Sequence, residues 1–270
     1  MSTPPDPHAA QQSSPPPGAH TDAIRLNKYL AQCGLGARRK CDEFIAKGHI
    51  CINGQKVTQL GTKINPRAQV VTWKGKELAP VTRLEYLAYH KPRGPLVTRC
   101  DPHDRDTIYT SCKKNGIDIE HLTYIGRLDR DSEGLLLLTN DGNINYALTH
   151  PRFHIKKVYR IRTDKPLAAE HRRRMLESGV SSRNQTLRAG AVRTCEGSGF
   201  ANEYWYEIDL YEGKNRQIRR MFEALDYAVL RLKRIQFGSV KLEDLKRSAV
   251  RKLTAREIAG LKNTGHRIKN

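Results

Sequence analysis

The chain has 270 residues, with 48 Lys and Arg against 28 Asp and Glu, a formal charge of +20. That length allows one or two domains with a proper core, and that charge points to a polyanionic partner, nucleic acid first and an anionic membrane second. The longest unbroken aliphatic run, Leu135 to Leu138, is far too short to span a bilayer, and no basic-then-apolar leader pattern opens the chain; a cytoplasmic protein with no membrane partner is the expectation.

Residues 1–22 are rich in Pro, Ser, Gln and His, including Pro4-Pro5 and Pro15-Pro16-Pro17-Gly18. Such a segment buries too little surface to offset chain entropy, so a disordered tail is expected. From Arg25 the pattern changes. Leu26, Tyr29, Leu30 and Cys33 share one helical face, and Gly34 and Gly36 stop the helix. A second helix runs from Arg38 to Lys47 and ends at Gly48. His49 to Val57 reads as strand, Asn53-Gly54 turn, strand, and Lys74-Gly75 suggests a second hairpin. Residues 24–83 hold twelve Lys and Arg against three acids, a net +9, so a separate basic module is expected there.

A new start appears at Tyr86–Gly94, an alternating strand running into a turn that carries Lys91 and Arg93. Further strands are expected at 135–139, 157–163, 204–211 and 228–237, and helices at 143–149, 168–178 and 215–225. Tyr204, Tyr206, Ile208 and Leu210 fall on one face, so the sheet has a buried side and is expected to be mostly antiparallel. The fold class that follows is α+β: a small α/β RNA-binding domain at 23–83, then a domain at 84–270 built on a mostly antiparallel mixed sheet with flanking helices. The six cysteines contain no C-x-x-C pair and read as reduced thiols, and no H-E-x-x-H occurs among the ten histidines. No metal site is expected.

Three segments carry groups capable of chemistry. In Gly126–Gly142, four leucines read as a buried strand, preceded by a polar loop with Arg127, Asp129, Arg130, Asp131 and Glu133. From charge alone this is a solvated loop with surface ion pairs. In Gly213–Leu225, Ile218, Met221, Phe222 and Leu225 form a core stripe, with Arg216, Arg219 and Arg220 on another face. Those guanidinium groups either neutralise a carboxylate or phosphate or make a solvated basic face. In Lys156–Arg162, period-two spacing sends Lys157, Tyr159 and Ile161 to one side, where a tyrosine beside a lysine can stack on a base or stand as ordinary strand residues.

These segments, in this order, resemble the RNA pseudouridine synthases of the RsuA/RluB type. Arg25-Leu26-Asn27-Lys28-Tyr29-Leu30, Arg38-Arg39 and Ile52-Asn53-Gly54 resemble the S-four-type RNA-binding domain that often precedes the catalytic domain. Ala37 stands where family members usually have Ser, which removes a helix N-cap but none of the cations. Lys91-Pro92-Arg93-Gly94 is similar to the family's first motif. Gly126-Arg127-Leu128-Asp129 with Ser132-Glu133-Gly134-Leu135-Leu136 is similar to its second. Lys157-x-Tyr159 and Asn215-Arg216-Gln217-Ile218-Arg219-Arg220-Met221 are similar to the next and the last. Asp226-Tyr227 replaces the common Gly-Tyr, and Asp tolerates the left-handed backbone of a helix end better than most residues.

The resemblance implies isomerisation of uridine in RNA, with ribosomal RNA or a ribosomal precursor particle as partner, no cofactor, no metal and a monomeric enzyme. It implies catalytic roles for Asp129 at the sugar, for Tyr159 stacked on the flipped base and for Arg219 as the ion-pair partner of Asp129. Charge density does not separate Asp129 from Asp131; only the motif register does. Arg127, Ile218, Lys157, Arg216, Lys91 and Arg93 are the expected substrate-binding residues. Arg25, Lys28, Arg38, Arg39, Lys40 and Lys56 are the expected RNA-binding residues of the first domain. Competing readings are a non-catalytic RNA-binding assembly factor, a hydrolytic RNA enzyme with Asp129 and Glu133 as metal ligands, and a membrane-surface protein.

Overall fold

A computed structural model describes residues 23–195 and 203–266. The tail expected at residues 1–22 lies outside the described residues. The chain divides into two compact units, Met1–Val81 and Thr82–Asn270.

In the first unit, β1 (Ile24–Arg25) leads into α1 (Leu26–Gln32) and α2 (Arg38–Ala46). The short strands β2 (Ile50–Ile52), β3 (Gln55–Val57), β4 (Lys63–Ile64), β5 (Val71–Trp73) and β6 (Lys76–Glu77) follow. Strands β3-β2-β5-β6 form one antiparallel sheet, and β1 pairs with β4. Both expected hairpins are present. Asn53 and Gly54 have φ of 49° and 80°, and Lys74 and Gly75 have φ of 50° and 77°. Two successive left-handed residues are what a tight two-residue hairpin turn demands. Leu26, Tyr29, Leu30, Cys41, Ile45, Ile50, Ile64 and Val71 form the core. Asn27 ties the helices together: its Nδ2 donates to both Asp42 oxygens (2.9 and 3.0 Å), and its Oδ1 accepts from Arg38 Nη2 (3.1 Å). Ala37 occupies the α2 N-cap without a side-chain hydrogen bond, as its substitution for Ser implies.

The second unit opens with β7 (Tyr86–Lys91), α3 (Ile108–Lys114), β8 (Thr123–Ile125), β9 (Glu133–Thr139), α4 (Gly142–Thr149) and β10 (Lys157–Thr163). It continues with α5 (Ala169–Leu176), β11 (Val180–Ser182), β12 (Gln185–Leu187), β13 (Ala191–Thr194) and β14 (Tyr204–Leu210). It closes with α6 (Gln217–Glu223), β15 (Val229–Phe237), β16 (Val240–Lys241), β17 (Val250–Lys252) and α7 (Ala255–His266). The main sheet has the order β13-β14-β10-β15-β9-β7-β17, with β8 on β9 and β16 on β15. Among its described pairs only β9 and β15 run parallel, so the sheet is mixed and mostly antiparallel. Among the described residues no helix is long and apolar enough to cross a membrane.

The unbroken leucine run has a simple cause. Leu135 and Leu137 pack with Ile144, Phe237 and Leu261 on one side of β9. Leu136 and Leu138 pack with Tyr89, Ile108, Tyr109 and Leu128 on the other. A strand covered on both faces has no polar position. The α6 stripe, Ile218, Met221, Phe222 and Leu225, joins Ile161, Met175 and Ile208 in a third cluster. That helix closes with Asp226 at φ 63°, and Tyr227 N–H donates to Phe222 C=O (2.9 Å). Asp does serve in the left-handed position.

Several elements carry no signal in the expectations above, among them the β11–β12 hairpin and helix α3. The β11–β12 hairpin turns on Arg183 and Asn184, both left-handed (φ 51° and 57°), without the Asn-Gly signal. Helix α3 starts from a Thr107–Thr110 capping box, with Thr at the position where Glu or Gln is usual.

The parallel junction depends on one glycine. Gly134 pairs with Arg234, has φ 111°, and a Cβ placed on it would lie 2.3 Å from the Arg234 carbonyl oxygen. Both the backbone angle and the space require glycine. Gly134→Ala is expected to destabilise the second unit by about 3 kcal/mol or more, measured by urea unfolding. A loss below about 1 kcal/mol contradicts this account.

Candidate active site

The end of β7 and the loop before β9 are fastened by one side chain. Lys91 is fully buried. Its Nζ donates to the carbonyls of Pro92 (3.0 Å), Asp129 (3.2 Å) and Ser132 (3.0 Å). Gly94 N–H adds a bond to the Arg130 carbonyl (2.8 Å), so the turn after β7 and the 129–132 loop move as one piece. An ammonium has three donors, and three carbonyls use them all. This corrects the expectation that Lys91 binds substrate: its amine faces inward, and its partners are backbone. Burial pulls this amine down from its ordinary 10.5 to about 8, against the pull of Asp129, Asp131 and Glu133.

The two aspartates of the loop have different surroundings. Asp131 Oδ2 lies 3.1 Å from Arg219 Nε, and its Oδ1 accepts from Arg216 Nη1 at 3.2 Å. The Arg219 Nε contact is ionic, because the N–H does not point along it. Arg219 is held further by its Nη1 donating to Val229 C=O (2.7 Å) and its Nη2 donating to Asp131 C=O (3.2 Å). Burial pushes the Asp131 carboxyl up, and Arg219 and Arg216 outweigh it, leaving it below the usual range. The expected Arg219–Asp129 pair is therefore corrected: among the described residues the carboxylate that Arg219 meets is Asp131. Alternate residues of an extended loop point to opposite sides, but here the chain turns within Asp129–Ser132, closed by Ser132 N–H to Asp129 C=O (3.1 Å), and Asp131 is brought round to α6. The Asp129 carboxylate, half-buried, makes no hydrogen bond or ion pair among the described residues. Arg219 nevertheless feels its charge.

Tyr159 reaches the same region from β10. It packs both on the cluster holding Ile218 and on the cluster holding Leu128, the neighbour of Asp129. Lys157 and Tyr159 lie two apart on β10, as the spacing implies, and Lys157 Nζ donates to Ile155 C=O (2.9 Å) and sits 5.5 Å over the Phe237 ring. Burial and the nearby Arg234 pull the Lys157 amine down to about 8. Arg93 and Arg127 are exposed. Arg220 is not on a solvated face: it is buried and donates to the Ser182 carbonyl and to Gln185 Oε1 (3.2 Å), tying α6 to the β11–β12 hairpin. Glu133 is buried beneath Arg231 (2.8 Å) and Arg247 (3.2 Å), which occupy both its oxygens. Neither the Asp131 nor the Glu133 pairing has a signal in the local sequence. Among the described residues no group of three His, Cys, Asp or Glu side chains is gathered to hold a metal ion.

In the first unit, Arg25, Arg38, Arg39, Lys40 and Lys56 are exposed and Lys28 is half-buried. Arg38, Arg39 and Lys40 open α2, where Lys40 also pairs with Glu43 (3.0 Å) and lies over the Phe44 ring.

Comparison with known proteins adds an independent finding. A family model described as RNA pseudouridylate synthase matches residues 85–224, and the S4 domain model matches residues 24–70. An uncharacterised RNA pseudouridine synthase of Mycobacterium tuberculosis is 34% identical over 248 residues, covering 88% of this chain and 92% of the relative. The ribosomal large subunit pseudouridine synthase B of Bacillus subtilis is 34% identical over 249 residues, covering 91% and 98%. A crystal structure of a pseudouridylate synthase superposes with a TM-score of 0.61 at 27% identity, covering 88% of this chain and 99% of the other.

The Lys91 clamp makes a prediction. Lys91→Met fills the stem's volume but takes the ammonium donor from the Pro92 and Ser132 carbonyls and leaves the Asp129 carbonyl only the Ser132 N–H, and is expected to cost about 3 kcal/mol near neutral pH. The pH dependence has a definite sign. Between about pH 8 and 10.5 the unfolded chain holds the Lys91 proton more tightly than the folded one, so this group's contribution to stability rises with pH through that window. Paired urea titrations near neutrality and near pH 9.5 are expected to show the wild-type advantage over Lys91→Met growing by on the order of 1–2 kcal/mol. A constant or shrinking difference contradicts the buried-amine account.

Proposed function

The chain belongs to the RNA pseudouridylate synthase family, and from that premise we propose that Asp129 is the group that acts on the sugar of a uridine in ribosomal RNA. The reaction breaks the C1′–N1 bond, turns the uracil and joins C1′ to C5; the C5 proton leaves and N1 gains one. No electrons are gained or lost overall. The target nucleotide first leaves its stack, at a cost of a few kcal/mol. The Asp129 carboxylate then acts as nucleophile on C1′ or as base at C2′.

The observation that carries this reading is the division between the two aspartates. Asp131 is engaged by Arg216 and Arg219, whereas the Asp129 carboxylate has no partner among the described residues while its own carbonyl is clamped by Lys91. A fixed backbone with an uncommitted carboxylate suits a reacting group. Arg219, anchored on Asp131, holds positive charge beside Asp129. Tyr159 stacks on the flipped base, Ile218 packs beside it, and Arg127 enters the space that the base vacates. Arg93, Arg216 and Lys157 supply cations for the flanking phosphates. The relative named as a ribosomal large subunit enzyme supports ribosomal RNA as the substrate class. The unit at 23–83 supplies RNA affinity through Arg25, Lys28, Arg38, Arg39, Lys40 and Lys56, and the unit at 84–270 supplies the chemistry.

Two experiments test this. Asp129→Asn is nearly isosteric and is expected to lose activity by roughly a thousandfold or more, read as pseudouridine formed in large- and small-subunit ribosomal RNA transcripts, with folding and RNA affinity kept. Asp131→Asn, which removes the anchor of Arg219, is expected to cost stability on the order of 1–2 kcal/mol and to lose less activity than Asp129→Asn. The reverse order transfers the catalytic role to Asp131.

Replacing Arg38, Arg39 and Lys40 together by Ala is expected to weaken RNA binding and to flatten its salt dependence by up to about three phosphate contacts. An unchanged slope, measured from Kd at several salt concentrations, removes these residues from the RNA interface.

A further inference from the structure

Beyond the residues assigned above, the second unit holds an open cleft of about 520 Å³ lined by Arg188, Gly190, Tyr211, Glu212 and Lys214 among others. Its size falls in the range of sites that take small organic groups. Two links join its lining to residues of the proposed active site. Leu210, immediately before Tyr211, pairs with Lys157 across β14 and β10. Arg216, two residues after Lys214, touches Asp131.

The cleft is built around an aromatic ring. Tyr211 is 45% exposed. Its ring lies against the bare backbone of Gly190, where a Cβ would come within 2.4 Å of Cε2. The ring is therefore held at its Cδ2–Cε2 edge and remains partly exposed in the cleft, where a base can meet it. Beside it, Arg188 is exposed and makes no ion pair among the described residues, its Nη2 reaching only the Ser178 carbonyl at 3.4 Å. Lys214 is placed by the Thr186 carbonyl (3.0 Å) and by Glu212 (3.1 Å). Glu212 is the acid of the cleft, and Lys214 and Gln217 Nε2 (2.7 Å) engage it. A partly exposed aromatic ring in a cleft that also holds an exposed guanidinium suits a base with its phosphate.

We propose that this cleft is a subsite for an unpaired RNA nucleotide flanking the target, its base stacked on Tyr211 and its phosphate held by Arg188 and Lys214. The proposal rests on the RNA-modifying reading above and deepens it, assigning to Tyr211 and Arg188 a part in holding the unpaired strand beside the target.

The test uses the full chain and a decauridylate carrying one 5-iodouridine. Photocrosslinking followed by peptide mapping is expected to give an adduct at Tyr211. In binding measurements Tyr211→Leu is expected to weaken affinity about tenfold, while Tyr211→Phe, which keeps the ring, stays within about twofold. Arg188→Ala is expected to reduce the salt slope by about one phosphate contact; it stands in for Tyr211→Leu if that variant does not fold. The proposal is overturned by adducts that avoid residues 186–214, by wild-type affinity in Tyr211→Leu, or by equal losses in the Leu and Phe variants. It is likewise overturned if uridine 5′-monophosphate displaces the crosslink at micromolar concentration, since the cleft is then a mononucleotide site. Binding does not require isomerisation. An Asp129→Asn chain that keeps pseudouridine formation and the Tyr211 crosslink therefore refutes the Asp129 reading and leaves the subsite standing.

Discussion

The second unit depends on a buried ammonium. Lys91 sits at the end of a strand covered on both faces, and its amine reaches the Pro92, Asp129 and Ser132 carbonyls, the second of which also accepts the Ser132 N–H. Burying a charge without compensation is among the costliest events in folding, and three charge-assisted hydrogen bonds offset much of that cost. The arrangement gives the 129–132 loop its shape. Loops are ordinarily the mobile parts of a fold; this one is tied to the sheet by its own backbone, which leaves the carboxylates of Asp129 and Asp131 outside the Lys91 clamp.

What the loop presents follows from that constraint. With the Asp129 carbonyl fixed inward, the turn that follows carries Asp131 to the start of α6, where two guanidinium groups meet it. Arg219 is in turn held by the Val229 carbonyl at the start of β15, the strand whose parallel pairing with β9 needs Gly134. Loop, helix and sheet thus close on one another through Asp131. An enzyme with two neighbouring carboxylates can assign one to architecture and leave the other uncommitted, and the proposed roles of Asp131 and Asp129 have that form.

The strong positive charge of the chain is distributed unevenly in its physical effect. In the second unit many cations face carboxylates: Arg231 and Arg247 on Glu133, Arg193 and Lys156 on Asp209, Arg160 on Glu207. Such partly buried pairs respond weakly to salt. The exposed cations at the start of α2, and Arg188 beside Tyr211, are the ones whose interaction with phosphate would respond strongly.

Much of the fold is legible along the chain because its causes are local. The Asn53-Gly54 and Lys74-Gly75 turns, the leucine run of β9, the stripe of α6 and the left-handed Asp226 each follow from turn chemistry or periodicity within a few residues. The motif register likewise singles out the loop with Asp129 and the strand with Tyr159. Three features escape such reading: the burial of Lys91, the pairing of Arg219 with Asp131, and the burial of Arg220 under the β11–β12 hairpin. Each joins residues 38 to 88 positions apart. A charged side chain reads alike in sequence whether it faces water, a carbonyl or a carboxylate. Only the path of the chain in space, set by the packing of β7, β9 and α6, brings the partner and excludes the water.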